Sequence, residues 1–228
     1  MLKRISSSVY WWVEIHGEAR SEPYTWNSHL IQVKTEHVLA LVDPLPLSAE
    51  DFREVEDLGI PTHILLTCNY HVRESEAFRE KWGCKVLLPQ EGLKDAEVPI
   101  DSTLQDRDLL WNLIEVIHVP DVHFPEEVAF LVKEDDGVMI VGDVVCGGRK
   151  DMGIADGEIS IPIPFAQYIA DIPKARSSLQ RLMDYPFETM CFAHGSPVFH
   201  RPKDVLKGFI ENDAVWESLQ KRKNEHSG

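Results

Sequence analysis

Three loops of this chain carry side chains that can bind a metal ion, and each loop directly follows an apolar segment. These side chains are His123, Asp143 and His194. Two imidazoles and one carboxylate are a suitable ligand set for Zn²⁺ or Fe²⁺. Loops at the ends of strands are also where a rigid scaffold commonly places reactive groups. A single histidine in such a place is more often a hydrogen-bonded structural residue, so the pattern indicates a metal site only if the three loops converge.

The segment after the short apolar run at residues 64–66 offers further reactive groups. The thiol of Cys68 could act as a nucleophile, with His71 or His123 as its base, but a cysteine that follows a buried strand is more simply an inert small residue. Arg73 could instead join an anion-binding or ion-pair cluster with side chains of the loop around Asp121. The residues alone leave open whether this segment serves a nucleophile, an ion pair or a metal ion.

The chain of 228 residues is acidic, with 38 Asp and Glu against 23 Lys and Arg and a formal net charge of −15. This charge repels phosphate backbones and anionic membrane surfaces, so we expect neither nucleic acid nor a membrane as a partner. No apolar run approaches the roughly 18 residues of a membrane-spanning helix, and the apolar patch at residues 9–13 is too short for a signal peptide. The four cysteines form no C-x-x-C pair, which favours reduced thiols and a cytoplasmic location.

The pattern of apolar residues predicts sheets covered by helices. Strands alternate with helices in the first half, which favours parallel pairing, and Glu134–Gly137 is typical of a hairpin turn. Ser48 begins a helix through a capping box with Asp51. The predicted strands cover residues 9–15, 29–33, 37–42, 64–66, 86–88, 112–119, 128–133, 138–141 and 189–193, and the predicted helices cover residues 48–59, 73–82, 173–185 and 202–219.

The chain carries no internal repeat, no low-complexity tract and no linker rich in Gly, Ser or Pro. Proline and glycine instead stand between short periodic segments. We therefore expect a single domain over residues 1–228, with residues 221–228 as a frayed tail.

The order of the motifs resembles that of the metallo-β-lactamase-fold superfamily. An early Asp-x-Gly of that family is matched loosely by Asp43-Pro44, and its P-G-H-T-P-G loop is matched by residues 120–125. Its later Gly-Asp is matched by Gly142-Asp143, and its final G-H-G by residues 193–195. The resemblance covers residues 10–200 approximately. It implies the α/β fold of that family, a four-layer αββα sandwich with two mixed sheets face to face and helices outside.

The main metal-binding motif of the family, T-H-x-H-x-D-H, is strongly altered in this chain. Aligned on Thr67, its ligand positions fall on Cys68, Tyr70, Val72 and Arg73. Valine cannot ligate a metal, and a cationic arginine opposes a nearby cation. Loss of the motif aspartate should cripple the usual two-metal hydrolysis. His71 lies one position from the family's second histidine and could replace it if the loop slips by one residue.

The later ligands of the family survive. The resemblance implies that His123 and His194 each bind a metal and that Asp143 bridges the two positions. We therefore expect one divalent ion, Zn or Fe, bound by His123, Asp143 and His194. His71 is the preferred fourth ligand, and Cys68 or Glu74 are the alternatives.

Two functions are compatible with this ligand set. The first is a metal-dependent hydrolase of a small molecule, in which Asp143 and His71 are catalytic and Arg73 holds an anionic group of the substrate. The second is a catalytically inactive family member that binds a small molecule or a protein partner. Loss of the motif aspartate favours the second function. Survival of the three later ligands favours the first, which we prefer.

Overall fold

Two β-sheets pack face to face in the computed structural model, which describes residues 2–16 and 24–226. The strands among these residues are β1 (Lys3–Arg4), β2 (Val9–His16), β3 (Tyr24–Val33), β4 (Val38–Val42), β5 (His63–Leu65), β6 (Lys85–Pro89), β7 (Ser102–Leu104), β8 (Leu109–Leu110), β9 (Ile114–His118), β10 (Val128–Val132), β11 (Val138–Val141) and β12 (Thr189–Phe192). The first sheet contains β1 to β7 in chain order. The second sheet has the order β12-β11-β10-β9-β8.

The first sheet changes from antiparallel to parallel pairing along the chain. Strands β1 to β4 pair antiparallel, whereas β4 to β7 pair parallel, as the alternation of strands and helices predicts. Helices α1 (Ala49–Leu58) and α2 (Ser75–Trp82) are two of the crossovers that parallel strands require. The predicted cap of α1 is confirmed, because the Ser48 hydroxyl accepts a hydrogen bond from the Asp51 amide at 3.1 Å.

The second sheet contains the predicted hairpin and one parallel pair. Strands β10 and β11 pair antiparallel around the turn at residues 134–137, with Val132 opposite Val138. Strands β11 and β12 pair parallel, and α3 (Ile172–Gln180) lies between them in the chain. The remaining helices in the described residues are α4 (Pro202–Glu211) and α5 (Asp213–His226).

Three apolar clusters hold these elements in four layers. The central cluster lies between the sheets and includes Ile31 and Phe130, both fully buried. A second cluster joins the outer face of the first sheet to α1 and α2, for example through Val55 and Phe78. A third joins the outer face of the second sheet to α3, α4 and α5, where Leu179 is fully buried. This αββα arrangement confirms the fold expected from the resemblance.

The C-terminal helices differ from the prediction. The single helix expected over residues 202–219 is two helices separated at Asn212, whose φ of −81° and ψ of 88° are not helical. The second helix runs to His226, and the Lys223 ammonium donates hydrogen bonds to the carbonyls of Ile169 and Ala170. Fraying of the tail beyond Lys221 stays a prediction. The last two residues of the expected tail lie outside the described part of the chain. No helix in the described part has the length and apolar character to cross a membrane.

Candidate metal centre

Loops from both sheets meet at one edge of the sandwich and carry the predicted residues. His71 lies in a short 3₁₀ turn at residues 69–71, after β5, and His123 lies between β9 and β10. Asp143 follows β11, and His194 follows β12. Because β11 and β12 are parallel neighbours, their carboxyl ends place these two residues side by side.

His71, Asp143 and His194, which we call the triad, bring three potential ligand atoms within 4.8 Å of one another. Nε2 of His71 lies 3.5 Å from Oδ2 of Asp143, and Nε2 of His194 lies 3.1 Å from Oδ1. A carboxylate therefore stands between two imidazoles. This donor set suits Zn²⁺ or non-haem Fe²⁺, so the triad is a possible metal site.

A buried hydrogen-bond network orients the ring of His71. Its Nδ1 lies 2.8 Å from Oδ2 of Asp43 and 2.9 Å from the hydroxyl of Thr67. Asp43 in turn accepts hydrogen bonds from the Thr67 amide at 2.8 Å and the Thr67 hydroxyl at 2.7 Å. In the neutral ring, donation from Nδ1–H to Asp43 leaves the lone pair of Nε2 directed towards Asp143. Histidine ligands are commonly oriented by a carboxylate in this way.

The charges of the site move its pKa values in opposite directions. Burial lowers the pKa of His71, but the carboxylates of Asp43 and Asp143 outweigh burial and hold this pKa well above its usual value. Burial raises the pKa of Asp143, but the charge of His71 and hydrogen bonds from His194 and His71 outweigh it and hold this pKa well below its usual value. The two carboxylates therefore favour the protonated form of His71, whose positive charge would take the place of a cation.

His123 borders the triad but is not one of its members. Its Nδ1 donates to the backbone carbonyl of Asp143 at 2.7 Å, and its buried Nε2 has no hydrogen-bond partner among the described residues. Burial lowers the pKa of His123 and that of His194. The negative charge of Asp143 opposes this effect without outweighing it, so both rings are neutral near pH 7. A neutral imidazole with a buried, unpartnered Nε2 is available as a ligand. His123 thus contacts the backbone of Asp143, while the roles of His123, Asp143 and His194 as ligands stay predictions.

Glu127 is a buried carboxyl group beneath the site. Its Oε1 accepts hydrogen bonds from the backbone amides of Asp143 and Val144, the latter at 3.0 Å. Burial and the charge of Asp143 raise the pKa of Glu127 well above its usual value. A Cβ atom on Gly142 would lie 2.5 Å from this Oε1, so only glycine permits the contact. The one sequence signal for Glu127 is an acidic residue directly before the wholly apolar strand β10.

The Arg73 side chain binds backbone carbonyls around the site instead of facing the space beside the triad. Its Nη1 donates to the carbonyls of Asn27 at 2.9 Å and Asp43 at 3.0 Å. The guanidinium carbon also lies 5.4 Å from the centre of the Trp26 ring. These contacts engage the guanidinium that we expected to hold an anionic group of the substrate. They give no support to a catalytic role of Arg73.

Cys68 is fully buried next to the triad. Burial raises the pKa of its thiol to about 11, against the influence of His71. The thiolate required of a nucleophile is therefore scarce near neutral pH. This favours the interpretation of Cys68 as an inert small residue.

A cavity of about 550 Å³ opens beside the triad and is lined by Asp143, His194 and His123. Arg149, which no sequence pattern indicated, also lines it. The remaining wall is largely aromatic. The aromatic lining residues are Tyr24, Trp26, Tyr70, Phe124, Phe165 and Tyr168. A volume of this size fits a small molecule.

Comparison with known proteins places these features in a family. A model described as the metallo-β-lactamase superfamily matches residues 7–211. Comparison with curated proteins detects no match. Among solved structures, VMB-1 is 13% identical with a TM-score of 0.70 over 96% of this chain and 97% of that chain. The DIM-1 metallo-β-lactamase is 15% identical with a TM-score of 0.67 over 96% and 97% of the two chains.

A flavo di-iron protein mutant from Thermotoga maritima is also similar, at 15% identity and a TM-score of 0.70. The match covers 92% of this chain but 61% of that one, so this chain spans about three-fifths of the flavo di-iron protein. At these identities the structural likeness demonstrates a shared fold and no shared activity.

Proposed function

The chain belongs to the metallo-β-lactamase superfamily, and we propose that it is a hydrolase that uses one divalent ion, Zn or Fe, at the triad. The observation that carries this proposal is the convergence of His71, Asp143 and His194 within 4.8 Å. The names of two structurally similar proteins, a metallo-β-lactamase and a flavo di-iron protein, refer to metals. The name of neither fixes the metal or the reaction of this chain.

The residues present fit such an ion. Nε2 of His71, the carboxylate of Asp143 and Nε2 of His194 would bind it, and the unpartnered Nε2 of His123 is a further nitrogen in the cavity wall. A bound divalent ion supplies Lewis acidity, which polarises the scissile bond and lowers the pKa of water.

The remaining chemistry belongs to the residues of this chain. The Asp143 carboxylate would accept a hydrogen bond from the attacking water and so orient it towards the substrate. Asp43 keeps Nδ1 of His71 protonated through the 2.8 Å contact and so fixes the orientation of the ring. Glu127 holds the loop of Asp143 in place through its backbone amides.

A second candidate function is a binding protein without catalysis. The observation that favours it is the position of the His71 ring between Asp43 and Asp143, because a protonated ring would satisfy both carboxylates without a metal. The replacement of the motif aspartate by Val72 points the same way. The cavity would then bind its small molecule with no reaction following.

The partners and the location of the protein stay predictions. A small-molecule substrate is supported by a cavity of about 550 Å³. The expectation that neither nucleic acid nor a membrane is a partner rests on the net charge of −15. The cytoplasmic location rests on isolated cysteines, all of which are free and buried.

Elemental analysis of protein purified without chelators or a metal-affinity tag tests the proposal. We expect about one equivalent of Zn or Fe, and loss of that metal and of hydrolysis in Asp143→Asn. Asp136→Asn, at an exposed position in the hairpin turn, is the matched control and should retain both. A metal content below about one tenth of an equivalent contradicts the hydrolase and favours the binding protein. Hydrolysis that survives Asp143→Asn unchanged contradicts the proposed role of the triad.

A further inference from the structure

We infer that the cavity beside the triad binds a planar, aromatic part of a small molecule that carries no negative charge. As a statement about the substrate, this inference rests on the proposed hydrolase function. As a statement about the cavity, it rests on three observations: a continuous series of ring contacts, the exposure of its two ends, and the neutralised charge of Arg149. Each observation is independent of a bound metal.

Five rings follow one another in contact along one side of the cavity, and we call them the aromatic wall. Tyr70 and Phe124 are stacked, with ring centres 4.4 Å apart and planes at 21°. His123 contacts Phe124 at 6.3 Å and Phe165 at 6.0 Å, in both cases edge to face. Phe165 and Tyr168 are 6.3 Å apart. The aromatic wall therefore has the imidazole next to the triad at its centre, and it offers ring faces and edges to a planar ligand.

The two ends of the aromatic wall are open to solvent. The side chains of Tyr70 and Tyr168 are 72% and 60% exposed, respectively. Single exposed aromatics are ordinary on protein surfaces, but these two belong to one ring series that borders a cavity. Aromatic rings that flank a pocket and keep an open face contribute binding energy when a ligand covers them.

The charges of the residues that line the cavity do not favour an anionic ligand. Arg149 is the one cationic side chain among the described lining residues. Its Nε and Nη2 donate to the two carboxylate oxygens of Asp151 at 3.1 and 2.7 Å, and its guanidinium lies 4.8 Å from the centre of the Tyr24 ring. Both partners of this ion pair are 7% exposed, so the positive charge of Arg149 is neutralised inside the protein. The described lining residues therefore offer no unpaired cation to a free carboxylate or phosphate.

Calorimetric titration of the metal-free full chain with three ligands tests the inference. The ligands are naphthamide, its fully saturated decalin analogue and naphthoate, which differ in planarity or in charge and little in size. We expect naphthamide to bind about tenfold more tightly than either of the others, because only naphthamide is both aromatic and uncharged. Metal is removed so that the carboxylate of naphthoate cannot bind through it.

Substitutions in the aromatic wall locate the binding site. Tyr70→Leu and Phe165→Leu should each weaken naphthamide binding by about three- to tenfold and leave the decalin analogue nearly unchanged. Tyr70 is largely exposed, so its replacement leaves the core intact. Phe199→Leu is the matched control, since Phe199 is 48% exposed and does not line the cavity. We expect this control to bind naphthamide like the unmodified protein.

Several results would overturn the inference. Equal affinity for naphthamide and the decalin analogue would indicate a cavity for aliphatic groups, and tighter binding of naphthoate would indicate an anion site. No binding of naphthamide, or equal losses in Tyr70→Leu and Phe199→Leu, would exclude the aromatic wall as the site. Naphthamide binding in a protein that takes up no metal would support the cavity inference and separately contradict the hydrolase.

Discussion

The ring of His71 lies between two carboxylates, with Nδ1 2.8 Å from Asp43 and Nε2 3.5 Å from Asp143. At the proposed metal site, Nε2 of this side chain would hold either a proton or a metal ion. With a proton on both nitrogens, it pairs with both acids. With Nε2 deprotonated, it becomes a neutral nitrogen ligand whose orientation still depends on Asp43. Metal binding and protonation therefore compete at one atom.

Replacement of the orienting carboxylate should weaken metal binding without removal of a ligand. We expect Asp43→Asn to lower the affinity for Zn²⁺ by about ten- to a hundredfold, because His71 loses its strongest hydrogen-bond acceptor. Competition with a chromophoric chelator measures this affinity. Asp57→Asn, at an exposed position of α1, is the control and should bind normally. An unchanged affinity in Asp43→Asn would contradict the role assigned to this residue.

Metal binding should also strengthen as the pH rises. The pKa of His71 is raised well above its usual value, whereas the pKa values of His123 and His194 are lowered and that of Asp143 is well below its usual value. His71 is thus the group that must lose a proton, and each bound ion should release about one. Calorimetry in buffers of different ionisation enthalpy counts the released protons. Metal binding with no proton release near pH 7 is the contrary result.

At the scale of elements, strand pairing and close backbone contacts bring the ligands together. The parallel pair β11 and β12 sets Asp143 beside His194. Asn27 on β3 ties the loop after β12 to the first sheet, since its side-chain amide donates to the carbonyls of Phe192 at 2.9 Å and Gly195 at 2.7 Å. The positive φ of 84° at Gly195 lets the chain turn directly after His194. The triad therefore depends on both sheets.

Gly142 offers a test of this close packing. A Cβ atom at this position would lie 2.5 Å from Oε1 of Glu127 and 2.5 Å from the hydroxyl of Thr67. We expect Gly142→Ala to lower the free energy of unfolding by about 1–3 kcal/mol and to weaken metal binding, because the Asp143 loop must move. Urea denaturation measures the first effect.

Gly208→Ala is the matched control, since Gly208 lies inside α4 and its Cβ would meet no atom within 4 Å. This substitution should stabilise the protein by about 0.5–1 kcal/mol through a better helix propensity. Equal effects of the two substitutions would show that the contact with Glu127 is not tightly packed.

At the scale of the whole molecule, buried histidines tie stability to pH. Burial lowers the pKa of His29 from 6.5 to about 4, against the opposing charge of Asp43 and with the support of Arg73. The unfolded chain therefore takes up a proton at this side chain below pH 6.5, whereas the native protein does so only near pH 4. The stabilising contribution of neutral His29 is complete above pH 6.5 and is lost as the pH falls to about 4.

Replacement of His29 should reduce the sensitivity to acid. We expect the fall in the free energy of unfolding between pH 7 and pH 5 to be about 2 kcal/mol smaller in His29→Gln than in the unmodified protein. Urea denaturation at the two pH values provides the comparison. His200→Gln, at an exposed position, is the control and should behave like the unmodified protein. A fall of unchanged size in His29→Gln would exclude His29 as a source of acid sensitivity.

Local sequence determined the elements and their order. The capping box at Ser48, the turn at residues 134–137 and the apolar runs of the strands act over a few neighbouring residues, so their patterns indicate helices, hairpins and buried strands directly. The order of the motifs resembles that of the metallo-β-lactamase superfamily, and the fold that this resemblance implied is confirmed by the family match over residues 7–211. The short strands β1, β7 and β8 escaped prediction because two or three residues carry no periodic signal.

Tertiary structure decided the site. The contact of His71 with Asp43 spans 28 positions, and that of Glu127 with the Asp143 amide spans 16. No local pattern fixes such distances. The direction of the His71 ring depends on the 3₁₀ turn at residues 69–71, and the aromatic wall joins loops far apart in the chain. Local propensities act between neighbouring residues, whereas a binding site forms only when folding brings distant side chains together.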